Sequence, residues 1–229
     1  MKKYSYPILI ILLVLFNIGI CFKYQDRYLL EDYAAFTMNQ EKKIEIRDDS
    51  KYKIRIYYPS SKYSLLNTTI EDKIEEYIIE FKKNIDNASN DINYFYTLDI
   101  TYDTYHYKDY ISYLFNIVSD VGGAHPSYYI WTIRYDINEN KVITINDILK
   151  EYPNFLNLLS NYVQKQLVLN ERIPDISWML EGTKPTVDNY QNLVFSKDGI
   201  FVFFPPYQIA PYSSGSFQIF IPYKQIYKE

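Results

Sequence analysis

The sequence predicts an α+β domain on an antiparallel sheet, with two main amphipathic helices, preceded by an apolar N-terminal anchor helix. Three observations predict it. Tyr and Phe number 27 and 13 of 229 residues, and aromatic side chains favour strands. Apolar residues make up 48% against 23% charged, enough to fill a core. Alternating and helix-periodic segments run strand–helix–strands, then strand–helix–strands, the order of an α+β fold.

The elements follow in chain order. Lys2-Lys3 precedes an apolar run over residues 8–22, broken only by Asn17 and Gly19. A positive end followed by an apolar stretch is a secretion signal or an anchor. As an uncleaved helix, residues 4–24 span roughly 31 Å, about one hydrocarbon core, with Tyr4, Tyr6 and Tyr24 at the interfaces. A cleaved signal is the second reading, although no A-x-A-like site lies near residue 22. A lipoprotein signal ending at Cys21 is the third, with Ile20 where a small residue is usual. The lysines place the N-terminus inside and the body outside. The expected location is the cell membrane, with a single-pass or lipid anchor and an extracytoplasmic body.

Residues 51–58 alternate charged and apolar side chains, a half-buried strand ended by Pro59. Thr68 and Glu71 have capping-box spacing, and Ile70, Ile74, Tyr77, Ile78, Phe81 and Ile85 share one helical face. A loop follows over 87–91. Residues 92–104 and 109–119 are aromatic strands joined near His106, which is read as an exposed turn residue. Residues 127–136 are a strand, 138–140 a turn and 141–144 a short returning strand. Thr144 to Asp147 starts a helical turn. Leu156, Leu159, Tyr162, Val163 and Leu167 mark the second helix. Residues 193–195 and 200–204 form a hairpin about Lys197-Asp198-Gly199, and 217–221 are the last strand.

Composition narrows function. The net charge is −4, which argues against nucleic acid as a partner, because phosphate binding needs a basic face. Cys21 is the sole cysteine, so the body has no disulfide, thiolate nucleophile or Cys-based metal site. Two histidines leave little for zinc. The motifs HExxH, GxSxG, GxGxxG and the P-loop are absent. No metal and no cofactor is predicted, and no catalytic residue is assigned.

In so glycine-poor a chain each body glycine marks a backbone need: Gly122, Gly123, Gly182, Gly199 and Gly215. The pair Gly122-Gly123 reads as a bulge or sharp crossing that presents His125-Pro126. His125 either contacts a ligand or pins that bulge through a loop carbonyl. Tyr207 and Tyr212 sit in a loop stiffened by Pro206 and Pro211, and loops on a rigid scaffold carry function. Tyr128, Tyr129 and Trp131 either extend an aromatic platform or line the sheet core.

Residues 121–126 (Val-Gly-Gly-Ala-His-Pro), 192–200 (Asn-Leu-Val-Phe-Ser-Lys-Asp-Gly-Ile), 207–215 (Tyr-Gln-Ile-Ala-Pro-Tyr-Ser-Ser-Gly) and 221–224 (Ile-Pro-Tyr-Lys) resemble a known family. It is the domain of unknown function shared by RsiV-type anti-sigma factors and PdaC-type peptidoglycan deacetylases. The resemblance covers about 110–226, and 44–105 more loosely resemble the companion domain that precedes it. With the anchor or signal read over 1–23, it divides the rest into a companion subdomain over 24–109 and the family domain over 110–229. Pro205 and Asp120-Val121 depart from the family's usual residues beside the candidate site. In the deacetylases this domain is the non-catalytic part. In RsiV-type proteins it senses lysozyme.

The expected function is therefore a membrane-tethered binding module of the cell envelope. Its partner is a cell-wall glycan or a wall-acting protein such as lysozyme. The candidate ligand-binding residues are His125, Tyr207, Gln208 and Tyr212, supported by Gly122, Gly123, Pro126, Gly199, Pro211 and Gly215. Two alternatives stand beside it: a carboxylate-dependent enzyme acting on wall polysaccharide, and an accessory subunit of an envelope complex.

Overall fold

Six strands are laid down side by side in their order along the chain: β1 (Gln40–Asp48), β2 (Tyr52–Ser60), β3 (Tyr96–Tyr107), β4 (Tyr110–Asp120), β5 (Ser127–Asp136) and β6 (Lys141–Val142). The computed structural model describes residues 40–48, 51–87 and 94–226. The expected N-terminal helix and the loop after Asn87 lie outside them. Residues 41–59 and 63–229 form the unit that carries the architecture below. Residues 1–40 and 60–62 form a second, of which only Gln40 and Ser60–Lys62 are described.

The sheet is mixed rather than purely antiparallel. Helix α1 (Ser64–Asn87) returns the chain to the start of β2, so β2 and β3 run parallel, with Tyr52 opposite Tyr96 and Ile56 opposite Ile100. A helical crossover gives parallel neighbours. From β3 to β6 the pairing is antiparallel. The division expected at residue 109 falls in the hairpin between β3 and β4, where Tyr107 pairs with Tyr110.

Helix α1 buries Leu66, Ile70, Ile74, Phe81 and Ile85, the i, i+4 stripe of an amphipathic helix. It begins four residues before the expected capping box. Thr69 is inside the helix, where its hydroxyl donates to the Leu65 carbonyl at 2.8 Å. The stripe packs on Ile54, Ile56, Leu98, Ile100, Ile111, Tyr113, Phe115 and Ile117 of the sheet. His106 lies within β3 opposite Ile111 and is half-buried, not exposed in a turn, because the hairpin turns only at Lys108-Asp109. Among the described residues no helix is long and apolar enough to cross a membrane.

The chain then forms α2 (Ile145–Glu151), α3 (Phe155–Leu167) and α4 (Ile176–Gly182). A three-stranded antiparallel sheet follows, made of β7 (Leu193–Ser196), β8 (Gly199–Phe204) and β9 (Phe217–Pro222), and α5 (Tyr223–Ile226) closes the described chain. Phe155, Leu159, Val163, Leu167, Met179 and Tyr190 pack with Ile200, Val202, Phe204 and Ile221 as a second core. The two sheets meet through Leu114 and Ile130 on one side and Val194 and Phe203 on the other. This explains why β4 is buried on both faces: Tyr113 and Phe115 face α1, while Leu114 faces the second sheet.

The sequence-read helix start at Thr144 is a full capping box. Its hydroxyl accepts from the Asp147 amide at 3.2 Å, and Asp147 accepts from the Thr144 amide at 3.0 Å. Lys141, then Thr144, then Lys150 hold the Asp147 carboxyl far below the usual carboxylate range. Thr144→Ala should cost about 1 kcal/mol in denaturant melts. A depressed carboxylate stabilises the fold fully above its unfolded value, and this is lost as pH falls. The stability gap between wild type and Asp147→Asn should therefore begin to shrink below about pH 4 and go on shrinking as the pH falls further. A gap that persists in acid would show that the charge contributes nothing.

Candidate functional site

The loop between β4 and β5 is set by Gly122. Its φ of +81° lies in the left-handed region, and its amide donates to Asp120 at 3.2 Å. Asp120 also accepts the Tyr94 hydroxyl at 2.5 Å. Gly123 differs from the expectation for the pair. It has no positive φ, and an added Cβ would sit 3.6 Å from the His125 carbonyl, an ordinary contact. Gly122→Val should cost about 1–2 kcal/mol, whereas Gly123→Val should stay within about 0.5 kcal/mol. Equal thermal midpoints for the two variants would refute this assignment.

The second loop follows β8. Tyr207 adopts φ +72°, unusual for a residue with a Cβ, yet its side chain is 54% exposed. Five hydrogen bonds hold it there. Its amide donates to Ala210 at 3.1 Å, and the Gln208 amide donates to Pro205 at 3.2 Å. The Trp178 indole donates to the Tyr207 carbonyl at 3.1 Å. The Gln208 side chain donates to the carbonyls of Gly182 and Asn189 at 3.0 and 2.9 Å. Pro211 enters the 3-10 turn of residues 212–214 extended, and Gly215 leaves it at φ +69°. Arg172 clamps that exit by donating to the carbonyls of Ser214 and Ser216, with its guanidinium 4.2 Å above the Phe217 ring.

The two loops meet. His125 stacks on Tyr212 with ring centroids 3.6 Å apart and planes 15° apart. The Tyr212 hydroxyl donates to the Pro126 carbonyl at 2.8 Å. His125 Nδ1 lies 2.9 Å from the same carbonyl, which can only accept, so Nδ1 carries the hydrogen. In the neutral ring Nε2 then accepts the Tyr207 hydroxyl at 3.0 Å. Tyr207 lies 5.7 Å from Tyr212 across the group.

The structure thus brings His125, Pro126, Tyr207 and Tyr212 together, leaves Gly122 against Tyr94 and Tyr96, and sends Gln208 elsewhere. Gln208 turns inward and ties its loop to Gly182 and Asn189. Gly199 sits at the start of β8 against the Ile221 carbonyl and is required by close approach, not by the hairpin turn. Tyr128, Tyr129 and Trp131 do not join the platform. Tyr128 donates to Asn116 at 2.5 Å, Tyr129 is 46% exposed on β5, and Trp131 stacks on Phe115. Sequence reading missed Arg172 and Trp178, whose roles depend on contacts 42 and 29 residues away.

A cleft of about 960 Å³ lies elsewhere, between the β3–β4 turn and α2. Asp109, Asp136, Glu139, Asp147 and Glu151 line it together with Lys108, Lys141 and Lys150. Asp147 is ion-paired, and Asp136 accepts the amides of Asn138 and Glu139 at 2.9 and 3.0 Å. Both carboxylates are therefore already engaged in holding local structure.

Residues 146–224 match a family described as a protein of unknown function, DUF3298. That span contains Tyr207 and Tyr212 but not His125. The chain is 27% identical over 172 residues to the peptidoglycan-N-acetylmuramic acid deacetylase PdaC of Bacillus subtilis. The match covers 72% of this chain and 36% of that protein, so the chain spans little more than a third of its length. Two solved structures share the fold. A DUF3298 family member from Bacteroides fragilis has a TM-score of 0.53 at 19% identity, covering 81% of this chain and 91% of that one. A DUF3298 family protein from Pseudomonas aeruginosa has a TM-score of 0.57 at 13% identity, covering 82% and 92%.

Proposed function

We propose that this protein is a membrane-tethered, extracytoplasmic binding module that recognises a cell-wall glycan through His125, Tyr207 and Tyr212. One observation carries the reading. An exposed aromatic residue, Tyr207, is held in a costly backbone conformation by two hydrogen bonds within its loop and three to Trp178, Gly182 and Asn189 outside it. Such strain is kept where surrounding structure imposes it, and it clusters at ligand sites. A mere connector needs no such restraint. Stacked, partly exposed rings with polar edges suit the alternating apolar and hydroxyl faces of a sugar. The relative that acts on peptidoglycan supports the choice of a wall glycan. Binding is favoured over catalysis because the ring nitrogens of His125 meet a backbone carbonyl and a phenol, with no carboxylate among their partners to orient the imidazole as a base. The apolar run after Lys2-Lys3 supplies the tether.

The test is a pull-down of the full chain against purified wall glycan and, separately, lysozyme. Retention on glycan that is lost in Tyr207→Ala supports the reading. Retention on lysozyme alone would transfer the site to a protein partner. Retention on neither would end it.

A further inference from the structure

Arg134 is a buried cation without a counter-ion. It lies on β5, 6% exposed, and forms no ion pair among the described residues. Its Nε donates to the Ile143 carbonyl at 3.2 Å. Its Nη1 is shared by Thr132 Oγ1 and the carbonyls of Gln191 and Leu193, at 3.1, 3.0 and 2.9 Å. All four acceptors are neutral. Burial pulls the guanidinium down to about 10, so it stays charged at neutral pH. A charge removed from water is costly unless an opposite charge or a full set of hydrogen bonds compensates it. Here one nitrogen has neither. Nη2 has no protein acceptor among the described residues, and it is not among the sealed polar atoms, so solvent reaches it.

It borders a cavity of about 300 Å³, at the lower end of small-molecule sites. Among the described residues, Arg134 is the only charged one in the wall. Thr69, Asn146, Gln191 and Asn192 supply polar groups, and Trp131, Val142 and Val187 supply apolar surface. The nearby carboxylate of Asp147 is already held by Lys141 and Lys150.

We infer that this cavity is a binding site for a small organic carboxylate, whose oxygen accepts from Nη2 of Arg134. A carboxylate supplies the missing negative charge and two acceptor oxygens. The apolar wall around Trp131 and Val187 favours an organic acid over inorganic phosphate. Because Nε and Nη1 are occupied, the contact is end-on through Nη2 rather than a two-pronged fork. The site shares no residue with the His125 cluster, so either can fail without the other.

Trp131 is one of only two tryptophans, and its indole N–H resonance reports on the cavity. The full chain is titrated with propionate, phosphate and chloride at matched ionic strength, with the indole signal assigned through Trp178→Phe. Propionate should shift the Trp131 signal saturably, and phosphate and chloride should not. Arg134→Met removes the donor but strands three carbonyls and can unfold the chain. Val187→Phe is therefore the second variant, filling the cavity while leaving every Arg134 bond in place, and it should abolish the saturable shift. A propionate shift that never saturates, one that survives Val187→Phe in a folded protein, or equal saturation by phosphate would overturn the proposal.

Discussion

Gly182→Ala is expected to destabilise the protein by about 3 kcal/mol. Gly182 ends α4 and is buried. A Cβ built there overlaps the Gln208 carbonyl oxygen, and it also meets the Gln208 carbonyl carbon at 2.9 Å and Ile209 Cγ2 at 3.0 Å. Backbone cannot escape by changing rotamer, so α4 or the Tyr207 loop must move. Either movement breaks the Gln208 bond to the Gly182 carbonyl. For a chain of this size the melting midpoint should fall by about 6–12 °C. Gly123→Ala is the control, since that position meets only one atom at ordinary contact distance. A Gly182→Ala midpoint within a degree or two of wild type would show that the loop does not rest on this glycine.

Local pattern carried much of the fold. The stripe from Ile70 to Ile85 and that from Leu156 to Leu167 marked α1 and α3, because a helix writes its buried face into its own sequence at fixed spacing. Thr144 and Asp147 marked the start of α2 for the same reason: both capping partners lie within four residues. Thr68 and Glu71 share that spacing, yet the helix starts at Ser64. A cap motif does not show whether the residues before it are already helical. The parallel pairing of β2 with β3 was illegible, since strand direction comes from the path of the connection and not from alternation. Buried Arg134 looked like an ordinary strand residue because its acceptors at Gln191 and Leu193 lie 57 and 59 residues away. In the site, the glycines and prolines signalled restrained loops, and the ring stacking and hydrogen bonds that join His125 to Tyr207 and Tyr212 were the part that had to be seen. Gln208 could not be separated from Tyr207 by sequence, because adjacent loop residues point in opposite directions only once the backbone is known.

Tyr212→Ala is expected to weaken binding of soluble wall glycan by about 2 kcal/mol, roughly 30-fold, while leaving the fold intact. The ring does two things. Its face supports His125 at 3.6 Å, and its hydroxyl fixes the Pro126 carbonyl that also orients His125 Nδ1. Tyr212→Phe keeps the face and loses only the hydrogen bond, so it should cost about 1 kcal/mol of affinity. The ring is half-buried in a loop outside both cores, so neither change should move the melting midpoint by more than a few degrees. His125→Ala should cost much less in a Tyr212→Ala background than in wild type, because residues that act as a unit are not additive. Full additivity of the two substitutions, measured by calorimetry, would mean that the stacked pair does not bind as a unit. Unchanged affinity in Tyr212→Ala would place the ligand elsewhere and leave the stack a device for joining two loops.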